Sequence, residues 1–136
     1  MSAVVDSSVL VAAIIDTGPD GAWAEGIVTG GQLHAPELAQ AEATNILRRL
    51  ERAKLISTVE ANGAQEDLMR LNVVSLPFAP FAGRVWALRH TVTSYDAWYV
   101  AAAEALDLPL ATLDAPLARA KGPTCKFLLP PPATKQ

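Results

Sequence analysis

Four acidic side chains interrupt or border apolar segments, where a carboxylate is costly. Asp6 lies inside the apolar run VVDSSVLVAAII, and Asp114 follows the apolar stretch PLAT. Asp96 begins the apolar segment DAWYVAAAEAL, and Glu42 interrupts the apolar stripe of PELAQAEATNILRRLERA. An unpaired charge in a low-dielectric interior destabilises a fold unless a cation or hydrogen-bond donors meet it. The chain must therefore supply partners for these four acids.

Local structure and a shared metal site are competing explanations for the acids. Each Asp could cap a helix or stabilise its first turn, and Glu42 could form a buried ion pair with Arg49. Four carboxylates at one place would instead repel one another and raise their pKa values unless a cation neutralised them. Oxygen ligands without His or Cys favour Mg2+, with Mn2+ as the alternative. The matching chemistry is phosphodiester hydrolysis by a metal-activated water.

Short apolar strands alternate with helices along the chain. The predicted strands are 3–5, 32–35, 72–76, 109–112 and 125–129. The predicted helices are 8–15, 20–29, 37–53, 57–71, 79–90, 95–107 and 115–120, several of which begin at Ser, Thr, Asp or Pro. This alternation predicts an α/β fold with a parallel sheet covered by helices on both faces.

Such a sheet places the ends of its strands and the starts of the following helices along one edge. Asp6 and Asp114 each follow a predicted strand, and Asp96 begins a predicted helix, so we expect all three at that edge. Helical side chains lean toward the N-terminus, which directs Glu42 to the same edge. Arg49 lies about 20° from Glu42 around the helix axis, so we expect it to affect the site.

The composition indicates one domain. The chain has 136 residues, of which 51% are hydrophobic and 18% charged, which suits a single core. We expect a domain over residues 1–129 and a mobile Pro-rich tail over 130–136. Cys125 is the single cysteine, which excludes an intrachain disulfide and a Cys-based metal cluster. Without a long apolar run or a basic leader, the sequence predicts no membrane association and a cytoplasmic location.

The basic residues are concentrated in one segment. The formal net charge is −3 at pH 7, so the whole chain has no general attraction for nucleic acid. The segment RRLERAK nevertheless places four cations within seven residues: Arg48, Arg49, Arg52 and Lys54. We therefore expect any contact with a polyanion to be local, and a solvated helix face is the alternative interpretation.

Three segments, taken in order, match the pattern of a known family. They are VVDSSVLVA, PELAQAEATNILRR and SYDAWYVAAAEALDLPLATLDAPLARA, and they contain all four acids. Over nearly its whole length the chain resembles the PIN domains, and among them the VapC-type toxins of bacterial toxin and antitoxin pairs. The resemblance implies a three-layer α/β/α sandwich with a parallel sheet of four or five strands.

The resemblance also implies an activity and roles for particular residues. It implies a Mg2+-dependent endoribonuclease in which Asp6 and Asp96 hold the metal, while Glu42 and Asp114 complete the acidic site. Similar toxins are homodimers that act on RNA. They are inhibited by a small cognate antitoxin that covers the acidic groove.

Three further residues are expected to support the acids. The resemblance implies that Ser8 and Asn45 hold carboxylates and waters in place. Arg49 joins them because of its position near Glu42 on the helix. A helix-start hydroxyl for Ser8 and a local side-chain bond to the backbone for Asn45 are the alternative interpretations.

Other functions fit the sequence less well. An aspartyl-phosphate phosphatase would need a second acid two residues after Asp6, where the sequence reads DSS. A receiver domain would need its acceptor Asp after the third strand, where the sequence reads VVSLP. The main alternative is a catalytically silent PIN-like scaffold that binds RNA or protein, and the presence of all four acids argues against it.

Overall fold

A computed structural model describes residues 1–132, in which short strands alternate with helices. The strands are β1 (Ala3–Val5), β2 (Leu33–Pro36), β3 (Val73–Leu76), β4 (Leu110–Ala111) and β5 (Phe127–Leu128). The helices are α1 (Ser7–Ile15), α2 (Pro19–Thr29), α3 (Ala39–Arg52), α4 (Thr58–Arg70), α5 (Ala82–Ala87), α6 (Ser94–Leu106) and α7 (Ala115–Ala118). One 3-10 turn, Ala79–Phe81, precedes α5.

The five strands form one sheet in the order β3-β2-β1-β4-β5, and all four pairings are parallel. This confirms the predicted α/β fold with a parallel sheet, which contains five strands within residues 1–132. The register pairs Val5 of β1 with Ala111 of β4. The residues that follow these two strands therefore emerge side by side at one edge of the sheet.

Helix α6 forms the centre of one helical layer. It packs on β1, β2 and β4 and contacts α5, while α1 packs with α2, α3 and α4. The buried face of α6 consists largely of alanines, which let the helix approach the sheet closely. All three residues of β1 are buried, as expected for a central strand with both faces covered. These contacts fix the start of α6 relative to the end of β1.

The structure differs from the sequence prediction in the segment 79–90, which is not one helix. A 3-10 turn leads into the short helix α5, and Pro80 lies in the first turn, where its fixed φ is tolerated. Thr93 then adopts an extended backbone to cap α6, so the preceding helix must end before it.

The end of the chain is described only in part. Residues 130–132 form no helix or strand, and residues 133–136 of the predicted tail lie outside the described residues. In the part of the chain that the structure covers, no helix combines the length and hydropathy needed to cross a membrane.

Candidate active site

Asp6 stands at the centre of the edge, between β1 and α1. Its Oδ1 accepts hydrogen bonds from the Ser8 hydroxyl at 2.5 Å and from the Val9 N–H at 3.1 Å. Its Oδ2 accepts a hydrogen bond from the Thr112 hydroxyl. Burial raises the pKa of Asp6 above its ordinary value, although these donors oppose the shift. Asp6 is therefore both the cap of α1 and a largely buried carboxylate that forms no ion pair with any described residue.

Thr112 is a site residue that the sequence analysis missed. It is 0% exposed, and its hydroxyl both donates to Asp6 and accepts from the N–H of Asp114 at 2.9 Å. One side chain thus links the residue after β1 to the residues after β4. The sequence feature that could have indicated Thr112 is its position: it is a polar residue at the end of the apolar stretch PLAT, two positions before Asp114.

Asp96 and Asp114 lie at the starts of two helices. Asp114 caps α7, because its Oδ1 accepts the Leu117 N–H at 3.0 Å. Asp96 lies in the first turn of α6, whose cap is Thr93. Burial raises the pKa of Asp96, and the negative charges of Asp114 and Asp6 raise it further. Asp96 therefore lies close enough to both Asp114 and Asp6 to be repelled by their charges.

Glu42 reaches the site through a contact between α3 and α6. Its Oε1 accepts a hydrogen bond of 2.7 Å from the phenol of Tyr99, which is 3% exposed. Burial raises the pKa of Tyr99, as do its hydrogen bond to Glu42 and the charges of Glu42 and Asp6. The phenol therefore stays protonated at neutral pH and donates to Glu42.

The structure brings one of the three predicted supporting residues to the acids. The Ser8 hydroxyl donates to Asp6 and accepts from the Leu113 N–H at 3.4 Å. Asn45 and Arg49 are exposed, and within residues 1–132 neither forms a hydrogen bond or an ion pair with the four acids. The ion pair between Glu42 and Arg49 that the sequence allowed is therefore replaced by the hydrogen bond from Tyr99.

The donor chemistry of the edge fits Mg2+. No Lys or Arg of the described residues forms an ion pair with any of the four acids, so their charge is not neutralised from within. A carboxylate offers about four lone-pair positions, and three of those on Asp6 are occupied by protein donors. These donors hold the Asp6 carboxylate in a fixed orientation at the edge of the sheet.

The acids do not form a ready-made set of three ligands. Between residues 1 and 132, no three His, Cys, Asp or Glu side chains are placed to hold one metal ion together. Mg2+ usually takes one or two carboxylates and keeps several waters, so it does not need such a set. The edge therefore suits a partly hydrated Mg2+ better than a metal enclosed by protein ligands.

Comparisons with known proteins agree with this architecture. The model of the PIN domain family matches residues 3–123. Ribonuclease VapC1 of Mycobacterium tuberculosis is 39% identical over 127 residues, which cover 93% of this chain and 96% of the relative. Ribonuclease VapC9 of the same species is 32% identical over 128 residues, which cover 94% of this chain and 98% of the relative.

A solved structure has the same fold. It is VapBC2 from Rickettsia felis bound to a DNA fragment from their promoter, with a TM-score of 0.65 and 15% identity, covering 95% of this chain and 98% of the matched chain. The chain therefore belongs to the PIN domain family and, within it, to the VapC ribonucleases. The resemblance inferred from its three sequence segments is confirmed.

Proposed function

We propose that the chain is a Mg2+-dependent endoribonuclease and the toxin of a toxin–antitoxin pair. The observation that carries the proposal is the group of carboxylates at the sheet edge. The negative charges of Asp6 and Asp114 both act on Asp96, yet no Lys or Arg in the described residues pairs with any of the three. Membership in the VapC ribonucleases supports RNA as the substrate.

In this proposal the acids have distinct roles. Asp6, held by three protein donors, and Asp96, in the first turn of α6, hold the cation. Glu42 and Asp114 complete the site. When bound, Mg2+ would neutralise charge on the scissile phosphodiester and orient a water for attack. Mn2+ is the alternative metal, because it also prefers oxygen ligands.

The protein groups around the acids restrict their movement. Ser8 and Thr112 fix both oxygens of Asp6, so this carboxylate does not have to reorient when a cation binds. The Oε1 of Glu42 is occupied by Tyr99, and its Oε2 is left to accept a hydrogen bond from a water or from the substrate. Preorganised groups of this kind lower the cost of reaching the reactive geometry.

The proposed partners are an RNA, a cognate antitoxin and a second copy of the chain. The matched Rickettsia felis structure is a VapBC2 assembly on promoter DNA, which supports an antitoxin partner for this chain. The homodimer and the cytoplasmic location remain predictions.

Cleavage of RNA by the purified protein tests the proposal. We expect cleavage with Mg2+ or Mn2+, none with EDTA, and a loss of several orders of magnitude for Asp6→Asn or Asp96→Asn. Asp67→Asn is the control, because Asp67 is exposed on α4 and, among the described residues, forms an ion pair with Arg70 alone. Undiminished cleavage in EDTA, or near wild-type rates for Asp96→Asn, would contradict the metal mechanism. RNA binding without cleavage under any metal would identify a silent scaffold.

A further inference from the structure

The carboxylate of Glu42 has a neutral partner. Among residues 1–132, the phenol of Tyr99 is the one group that donates a hydrogen bond to this carboxylate, at 2.7 Å. The contact joins α3 to α6 across 57 positions of sequence. Because a phenol carries no charge, this contact orients Glu42 without cancelling the negative charge that a cation would use.

We propose that Tyr99 is a positioning residue that holds Glu42 in the acidic site. The inference rests on the proposed function, in which Glu42 helps to hold the metal. A glutamate side chain has several rotatable bonds, and the free energy of fixing them opposes metal binding unless the side chain is already held. Groups that orient metal-binding carboxylates typically change metal affinity or activity by about tenfold or more when they are removed.

The surroundings of Tyr99 make it suitable for this role. The ring is 3% exposed within the buried face of α6, the helix that also carries Asp96 in its first turn. The hydroxyl is also close enough to Asp6 for the charge of Asp6 to act on it. The buried Tyr99 of α6 thus positions the Glu42 side chain of α3 relative to the other acids.

The helix also carries a matched control. Tyr95, in the first turn of α6, is 62% exposed and forms no side-chain hydrogen bond with the described residues. Tyr95→Phe removes the same hydroxyl from the same helix without touching Glu42. These are the two tyrosines of the chain, so each can be followed separately.

Binding of Mn2+ to the purified protein, measured by calorimetry without RNA, tests the inference. We expect Tyr99→Phe to weaken Mn2+ binding by about tenfold and Tyr95→Phe to leave it unchanged. We expect Tyr99→Phe to have little further effect in a protein that already carries Glu42→Gln, because Tyr99 acts through Glu42. An equal loss in both backgrounds would assign Tyr99 a merely structural role and overturn the inference.

Fluorine NMR of the full chain labelled with 3-fluorotyrosine gives a second readout that needs no substitution at Tyr99. Tyr95→Phe assigns the two signals. We expect added Mg2+ to shift the Tyr99 signal saturably in the wild type, with a much smaller shift in Glu42→Gln. A Tyr99 signal that stays fixed while Mn2+ binds and RNA is cleaved would overturn the inference and leave the proposed function intact. A wild type that neither binds Mn2+ nor cleaves RNA would overturn both.

Discussion

At the residue scale, the Asp6 carboxylate combines two tasks that are usually separate. It caps α1 through Val9, as many aspartates after a strand do, and it also accepts hydroxyl donors from Ser8 and Thr112. Neutral donors stabilise the buried charge without removing it. The buried charge of Asp6 is therefore stabilised by hydroxyl and N–H groups, and Mg2+ is proposed to bind it in addition.

Thr112 should contribute measurably to stability. In Thr112→Val the shape is nearly preserved, but Asp6 Oδ2 and the Asp114 N–H both lose their partner at a part-buried contact. We expect a loss of about 1–3 kcal/mol in the free energy of unfolding, measured by urea denaturation in EDTA. Thr112→Ser keeps the hydroxyl and is the control. If Val and Ser reduced stability equally, the hydroxyl would not be the stabilising group.

At the element scale, the C-terminal half of α3 presents cations that form no ion pair with a carboxylate of residues 1–132. Arg48, Arg49 and Arg52 are exposed, and none forms an ion pair with the residues the structure describes. Arg49 lies seven residues beyond Glu42, about 10.5 Å along the helix axis and on nearly the same side. That distance suits a phosphate one or two nucleotides from the bond that is cut.

The arginines of α3 should therefore differ in their effect on RNA affinity. We expect Arg49→Ala to weaken RNA binding and its salt dependence more than Arg52→Ala, because Arg49 lies on the face of Glu42. Neither substitution should change the melting temperature. Binding is measured at several salt concentrations in the inactive Asp96→Asn protein, with Arg70→Ala, a surface arginine of α4, as the control. Equal effects of Arg49→Ala and Arg52→Ala would indicate a diffuse charged face.

The elements themselves were largely predictable from sequence, and their contacts were less so. Apolar periodicity and caps predicted α3, α4 and α6 to within a few residues, because those signals are local. The 3-10 turn before α5 and the extended backbone of Thr93 after it confine α5 to a short segment, which a helical pattern does not reveal. The hydrogen bond from Tyr99 to Glu42 depends on how α3 and α6 are placed in the fold. The helical spacing alone therefore indicated Arg49 as the partner of Glu42.

At the scale of the whole molecule, topology brings distant acids together. β1 is central and pairs with β4, so positions more than one hundred residues apart meet at one edge. The rule that parallel strands end at a common edge was therefore enough to predict this meeting of Asp6 and Asp114. It could not predict the hydroxyl of Thr112 between them, because that contact depends on the register of the two strands.

The shared charge of the acids should reduce the stability of the metal-free molecule. Burial and the charges of Asp114 and Asp6 raise the pKa of Asp96 above its ordinary value. A raised pKa means that the folded state binds the proton more tightly than the unfolded state does. Stability is therefore greatest below the unfolded pKa and falls as pH rises through the folded pKa. At neutral pH the ionised Asp96 destabilises the metal-free fold.

Asp96→Asn removes that charge and nearly preserves the shape, so at pH 7 in EDTA we expect it to melt above the wild type. The difference should narrow as the pH falls through the raised pKa of Asp96, because Asp96 becomes protonated in the wild type. Millimolar Mg2+ should stabilise the wild type by a free energy that grows as RT ln(1 + [L]/Kd), and should stabilise Asp96→Asn much less because a ligand is missing. Thermal scans of both proteins with EDTA and with Mg2+ distinguish a shared metal site from unrelated helix caps. If the acids were only unrelated helix caps, the two proteins would respond to pH and Mg2+ in parallel.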